Sequence, residues 1–107
     1  MQHLTASELA AWIADPQRPT PLLLDVREPW EYETCHIAAA QLMPMQTVPA
    51  RLNDLEEDQA IVCICHHGAR SMQVAAFLER QGFSAVSNLT GGVHAWAQQV
   101  DPAMPTY

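Results

Sequence analysis

Three short apolar runs punctuate the chain, and the last two are each followed by apolar residues at helical spacing. Leu22-Leu23-Leu24-Asp25-Val26 is the first, continuous enough to suit a strand covered on both faces. Ala60-Ile61-Val62-Cys63-Ile64-Cys65 is the second, and Ala85-Val86-Ser87-Asn88-Leu89 the third. Ser71 to Gln81 brings Val74, Phe77 and Leu78 onto one helical face, with Gly82 as a carboxy-terminal cap. Gly92 to Val100 predicts a last helix with Val93, Trp96 and Val100 inward. Ahead of the first strand, Thr5-Ala6-Ser7-Glu8 is a capping box that opens a helix with Leu9, Trp12 and Ile13 on one face. The proline-rich segment from Asp15 to Pro21 reads as a loop. Thr47 to Asp58 is more weakly patterned, a short helix ending in a solvated acidic run at Asp54, Glu56, Glu57 and Asp58. Alternating strands and helices predict an α/β domain over residues 1–107, with a mainly parallel sheet and helices on both faces.

Composition sharpens this picture by exclusion. Hydrophobic residues make up 49% of the 107 positions and charged ones 16%, the opposite of a disordered chain. Twelve acidic against five basic residues give a net charge of -7. Such a surface repels phosphate backbones and anionic lipid, so neither nucleic acid nor membrane is an expected partner. All five basic residues are arginines, which excludes Schiff-base chemistry and the lysine of nucleotide-hydrolase phosphate loops. No apolar run approaches the ~20 residues of a membrane span. Three cysteines and no basic amino-terminal leader point to a reducing cytoplasm rather than a disulfide framework.

In open parallel sheets, ligands bind beyond the carboxyl ends of the strands. The segment Cys65-His66-His67-Gly68-Ala69-Arg70-Ser71 leaves a buried strand there, turns at Gly68 and enters a helix. A cysteine so placed faces backbone amides and the positive end of a helix, both of which stabilise an anion. Arg70 adds a fixed positive charge, and His66 and His67 a conditional one. Cys65 therefore reads as a nucleophile. Cys63, between Val62 and Ile64 inside the strand, reads as inert core. Zinc on Cys63, Cys65, His66 and His67 is discounted. Structural zinc sites draw on separated ligand pairs, and Cys35, His36 and His94 offer no evident second pair.

Asp25-Val26-Arg27-Glu28, Glu31-Tyr32, His36-Ile37 and Met43-Pro44 resemble the first signature of rhodanese-like domains. Cys65 to Ser71 resembles their active-site loop, and Leu89-Thr90-Gly91-Gly92-Val93 with Trp96 resembles their closing signature. The resemblance implies a three-layer, doubly wound rhodanese-like fold and a sulfurtransferase. In that family the loop cysteine, here Cys65, takes a sulfane sulfur from an anionic donor such as thiosulfate, a persulfide or a polysulfide. It passes the sulfur to cyanide or a thiol, including a protein thiol, without metal or organic cofactor. His66, His67, Gly68, Ala69 and Arg70 would form the substrate-binding cradle, with Arg70 orienting the donor. Asp25 is expected to fix the neighbouring loops. Arg27 is expected to line the site or, more blandly, to pair with Glu28 or Glu31, and Trp30 and Trp96 to be packing residues.

The loop runs six residues from Cys65 to Arg70, one fewer than in related phosphatases, which fits a sulfur atom better than a tetrahedral oxyanion. Three positions depart from the family pattern: His66 where arginine is frequent, and Cys35 and Ala39 where glycine is. The alternative is a rhodanese-like binding or regulatory module without turnover.

Overall fold

A computed structural model describes residues 1–107. In chain order it contains β1 (Gln2–Leu4), α1 (Ala6–Ala14), β2 (Leu22–Asp25), α2 (Pro29–Thr34), β3 (Gln41–Leu42), β4 (Ile61–Ile64), α3 (Ala69–Arg80), β5 (Val86–Leu89) and α4 (Gly92–Gln99). Two short 3-10 turns, Met45–Thr47 and Pro49–Asp54, link β3 to β4. The strands pair in the order β1-β5-β4-β2-β3, all parallel. From β2 the chain steps outward to β3 and then returns to place β4 on the other side of β2. That reversal opens a crevice at the carboxyl ends of β2 and β4, where such sheets bind ligands.

Alternation along the strands builds two cores of equal size. Leu23, Val62, Ile64 and Leu89 face Leu9 of α1 and Val93 and Trp96 of α4. Leu24, Ile61, Cys63, Cys65 and Val86 face Val74 and Leu78 of α3, with Val48 and Met43 beside them. Both faces of the sheet are thus dry, which is why β2 and β4 carry apolar runs rather than alternating ones. Burying each Leu or Ile this way stabilises the fold by about 1.5–3 kcal/mol before entropy is counted. No helix is long and apolar enough to cross a membrane.

The expected capping box is present: Glu8 N donates to Thr5 Oγ1 at 3.1 Å, and Thr5 N to Glu8 Oε1 at 2.9 Å. Trp12 anchors the proline-rich loop through Nε1, 3.0 Å from the Pro19 carbonyl. Ile13, expected inward, is 37% exposed and walls a shallow apolar groove with Ala10, Ile37 and Met104. α3 begins at Ala69, two residues earlier than expected, and the weakly patterned segment forms a 3-10 turn rather than an α-helix. β1, α2 and β3 lie outside the expectations; at three, six and two residues they are too short to show a period.

Candidate active site

Cys65 follows β4 directly and is 1% exposed. Its Sγ accepts the Gly68 amide at 3.1 Å, at the turn that opens α3. Gly68 has φ +105°, and a side chain there would press on the Leu89 carbonyl and the Gly91 amide at 3.2 Å. Ser71, fully buried in the first turn of α3, places its hydroxyl 3.3 Å from the same sulfur and also bonds Asn88 Oδ1. One hydroxyl hydrogen serves only one of these acceptors at a time. Asn88 Nδ2 in turn holds the Gly68 carbonyl at 3.2 Å. The sulfur therefore sits among fixed donors at the positive end of α3, a place that favours an anion.

Of the expected cradle of amides from His66 to Arg70, the Gly68 amide is the one that bonds the sulfur. The loop carbonyls face the other way and are held by the start of α4. Val93 N donates to Cys65 O at 2.9 Å and His94 N to His66 O at 3.1 Å. Gly92, at φ +58°, makes this approach possible, because a Cβ there would overlap the carbonyls of Cys65 and His66.

Arg70 is engaged rather than free. Its Nη1 and Nη2 meet Glu31 Oε1 and Oε2 at 2.7 and 2.8 Å in a bidentate pair. Glu31, 4% exposed on α2, also accepts the Glu28 amide at 2.9 Å and the Tyr107 hydroxyl at 2.8 Å. The Arg70 hydrogen bond is the main reason its carboxyl is pulled down to about 2.

Arg27 does not line the site, and its expected carboxylate partner is corrected. It is fully buried and pairs with Asp25, Nε to Oδ1 at 2.9 Å and Nη2 to Oδ2 at 2.7 Å. It reaches Glu31 only at its backbone carbonyl, and further bonds the Cys35 carbonyl and the Tyr107 hydroxyl. Two residues from Asp25 on the same strand end, Arg27 turns back on Asp25, whereas the Glu31 carboxylate is already taken by Arg70. Burial alone would weaken the Arg27 charge, but the bonds to Asp25 and Tyr107 outweigh it and raise its pKa. Asp25 thus accepts the Arg27 amide and guanidinium where the chain leaves β2.

His66 stacks between His67 and Tyr107, both with ring centroids at 4.1 Å. Burial, then the neighbouring His67, hold it below the ordinary histidine range. His94 joins this group, with centroids 4.9 Å from His67 and 6.0 Å from His66. Trp30 is 59% exposed and touches Tyr107 edge-on, so it is not a core packing residue, whereas Trp96 is. Cys63 is fully buried, its thiol pushed up to about 12 by desolvation and then by Cys65.

Sequence reasoning placed Ser71 in the loop without a role toward the sulfur, and missed Asn88, Glu31, His94 and Tyr107 as neighbours of the site. Ser87-Asn88 inside an otherwise apolar strand was the available signal for Asn88. Nothing local marks Tyr107, which arrives through tertiary contact alone.

The rhodanese-like domain family matches residues 5–99. A sulfurtransferase of Allochromatium vinosum is 36% identical over 98 residues, covering 92% of this chain and 90% of that protein. The rhodanese-like/PpiC domain-containing protein 12, chloroplastic, of Arabidopsis thaliana is 39% identical over 89 residues, but the match covers only 30% of its length. The crystal structure of a rhodanese-like domain protein from Staphylococcus aureus has TM-score 0.82 and 33% identity, over 90% of this chain and 91% of that one. The chain belongs to the rhodanese-like domain family.

Proposed function

We propose that this chain is a sulfurtransferase that carries a sulfane sulfur as a persulfide on Cys65. The observation that supports it most is a buried cysteine sulfur held by the Gly68 amide and the Ser71 hydroxyl at the amino-terminal turn of α3. With thiosulfate, the Cys65 thiolate attacks the outer sulfur. A new Sγ–S bond forms, the S–S bond of thiosulfate breaks, and sulfite leaves with the electron pair. Cyanide or a thiolate then attacks the outer sulfur of the persulfide, and Cys65 departs as the thiolate. While Cys65 is a thiol, Ser71 gives its hydrogen to Asn88; when the thiolate forms, the hydroxyl turns to the sulfur.

The donor class is a persulfide, a polysulfide or thiosulfate, and the acceptor a small or protein thiol or cyanide, in the cytoplasm. His66, His67, Gly68, Ala69 and Arg70 make the donor pocket, in one domain over residues 1–107. Because Glu31 neutralises Arg70, a small dianion gains less here than at an unpaired arginine.

Intact mass after incubation with thiosulfate or glutathione persulfide tests the reading. The expected result is one added sulfur on Cys65, released by cyanide as thiocyanate and absent in Cys65→Ser. A protein that gains no sulfur from any sulfane donor is a binding module instead.

A further inference from the structure

Three histidines from two separate segments converge at one rim of the site. His66 and His67 follow Cys65, and His94 sits in the first turn of α4. Each offers one ring nitrogen, and the three lie within 4.8 Å of one another. These nitrogens make no hydrogen bond within the protein. His36 differs: its Nδ1 bonds the Tyr32 carbonyl at 2.9 Å and its ring stacks on Tyr32.

We propose that His66, His67 and His94 together bind one late first-row divalent cation, of which Zn²⁺ is the natural occupant. Three imidazoles suit a borderline ion such as Zn²⁺ or Co²⁺ and suit poorly the hard, oxygen-seeking Mg²⁺ and Ca²⁺. They supply three corners of a tetrahedron and leave the fourth to water. Metal–nitrogen bonds of about 2.0–2.1 Å require the nitrogens to draw closer than they now stand. The side chains are free to do so, since His67 and His94 are exposed and His66 partly so.

The backbone beneath them is already set. His94 N donates to His66 O at 3.1 Å, which fixes α4 against the loop. Tyr107 backs the His66 ring. Neither Cys63 nor Cys65 belongs to this donor set, so it differs from the Cys63, Cys65, His66 and His67 grouping that the sequence argued against. His94 was the missing ligand, and only the packing of α4 on the loop reveals it.

The test uses the untagged, metal-free protein. Co²⁺ is titrated by visible absorption and Zn²⁺ by calorimetry, in the native chain and in Cys65→Ser to remove the site thiol. One equivalent should bind in both, with a nitrogen–oxygen spectrum lacking sulfur-to-metal charge transfer. His94→Ala should weaken binding about tenfold or more, while His36→Ala leaves it unchanged. Should His94→Ala fold poorly by circular dichroism, His67→Ala, at an exposed position, gives the same reading. Undiminished affinity in these variants, or loss of binding in Cys65→Ser, overturns the proposal. Because binding is read without turnover, its failure is distinct from failure of sulfur transfer.

Discussion

The Arg70 guanidinium and the Glu31 carboxylate meet side-on through two bonds of 2.7 and 2.8 Å, joining α3 to α2 across the crevice. An anionic donor approaching Cys65 therefore competes with Glu31 for the same cation. Glu31→Gln removes the competing charge at nearly constant shape, and the KM for thiosulfate should fall by roughly threefold or more. Arg70→Ala should raise it by about tenfold or more, as loss of a charged hydrogen bond implies. Arg51, whose partner is the exposed Asp54 at 3.0 Å, serves as control, and Arg51→Ala should leave both constants unchanged. An unaltered KM in Glu31→Gln would show that Arg70 does not meet the donor.

Acid should destabilise the fold through the same pair. The Glu31 carboxyl is lowered from 4.5 to about 2, first by Arg70, with the Glu28 amide and the Tyr107 hydroxyl adding to it. A depressed folded-state pKa contributes stability above the unfolded value that is lost as pH falls through the folded one. The window is therefore pH 4.5 down to 2. Allowing for the partly exposed guanidinium, the loss is on the order of 2 kcal/mol. Denaturant titrations across that window should show a shallower fall in Glu31→Gln.

The three sulfurs should separate cleanly by substitution. Cys65→Ser is expected to abolish transfer and keep the fold, since a hydroxyl cannot hold a persulfide. Cys63→Ala, at a fully buried position, should cost about 1 kcal/mol or more and leave turnover intact. Cys35→Ser should retain nearly all turnover with thiosulfate and cyanide. Peptide mapping of oxidised protein that found a Cys35–Cys65 disulfide, with altered turnover in Cys35→Ser, would reverse that assignment.

Ala39 has φ +70°, the third residue of the turn in which Ala40 N donates to Ile37 O at 3.0 Å. Type II geometry calls for positive φ at that position, where a Cβ is strained. Ala39→Gly should therefore gain up to about 1 kcal/mol, with a later denaturation midpoint and an unchanged slope. An earlier midpoint would mean that the flexibility added to the unfolded chain outweighs the strain relieved.

Much of this was legible from local pattern. β2, β4 and β5 announce themselves because burial on both faces demands apolar runs. Thr5 and Glu8 cap α1 within one turn of chain, so their pairing needs no tertiary knowledge. Cys65, Gly68 and Arg70 are readable because a strand, a turn and a helix start impose their chemistry in seven consecutive residues. Partners across the sheet are different. Arg70 finds Glu31 thirty-nine positions away, and Tyr107 reaches Glu31 from seventy-six. The expectation for Arg27 failed for the same reason, since which carboxylate it meets depends on which one Arg70 has already taken. β1 and β3 form only because a neighbouring strand offers unpaired amides and carbonyls, a property of the sheet and not of their own few residues.

Gly92 carries no functional group, yet it sets how closely α4 stands to the carbonyls of Cys65 and His66. Even one added methyl would push the helix off the loop and release the amides of Val93 and His94 from the carbonyls they hold. In a saturation library selected for sulfur transfer, position 92 should thus tolerate replacement as poorly as position 65. One is intolerant because of what its side chain does, the other because of the volume it leaves empty.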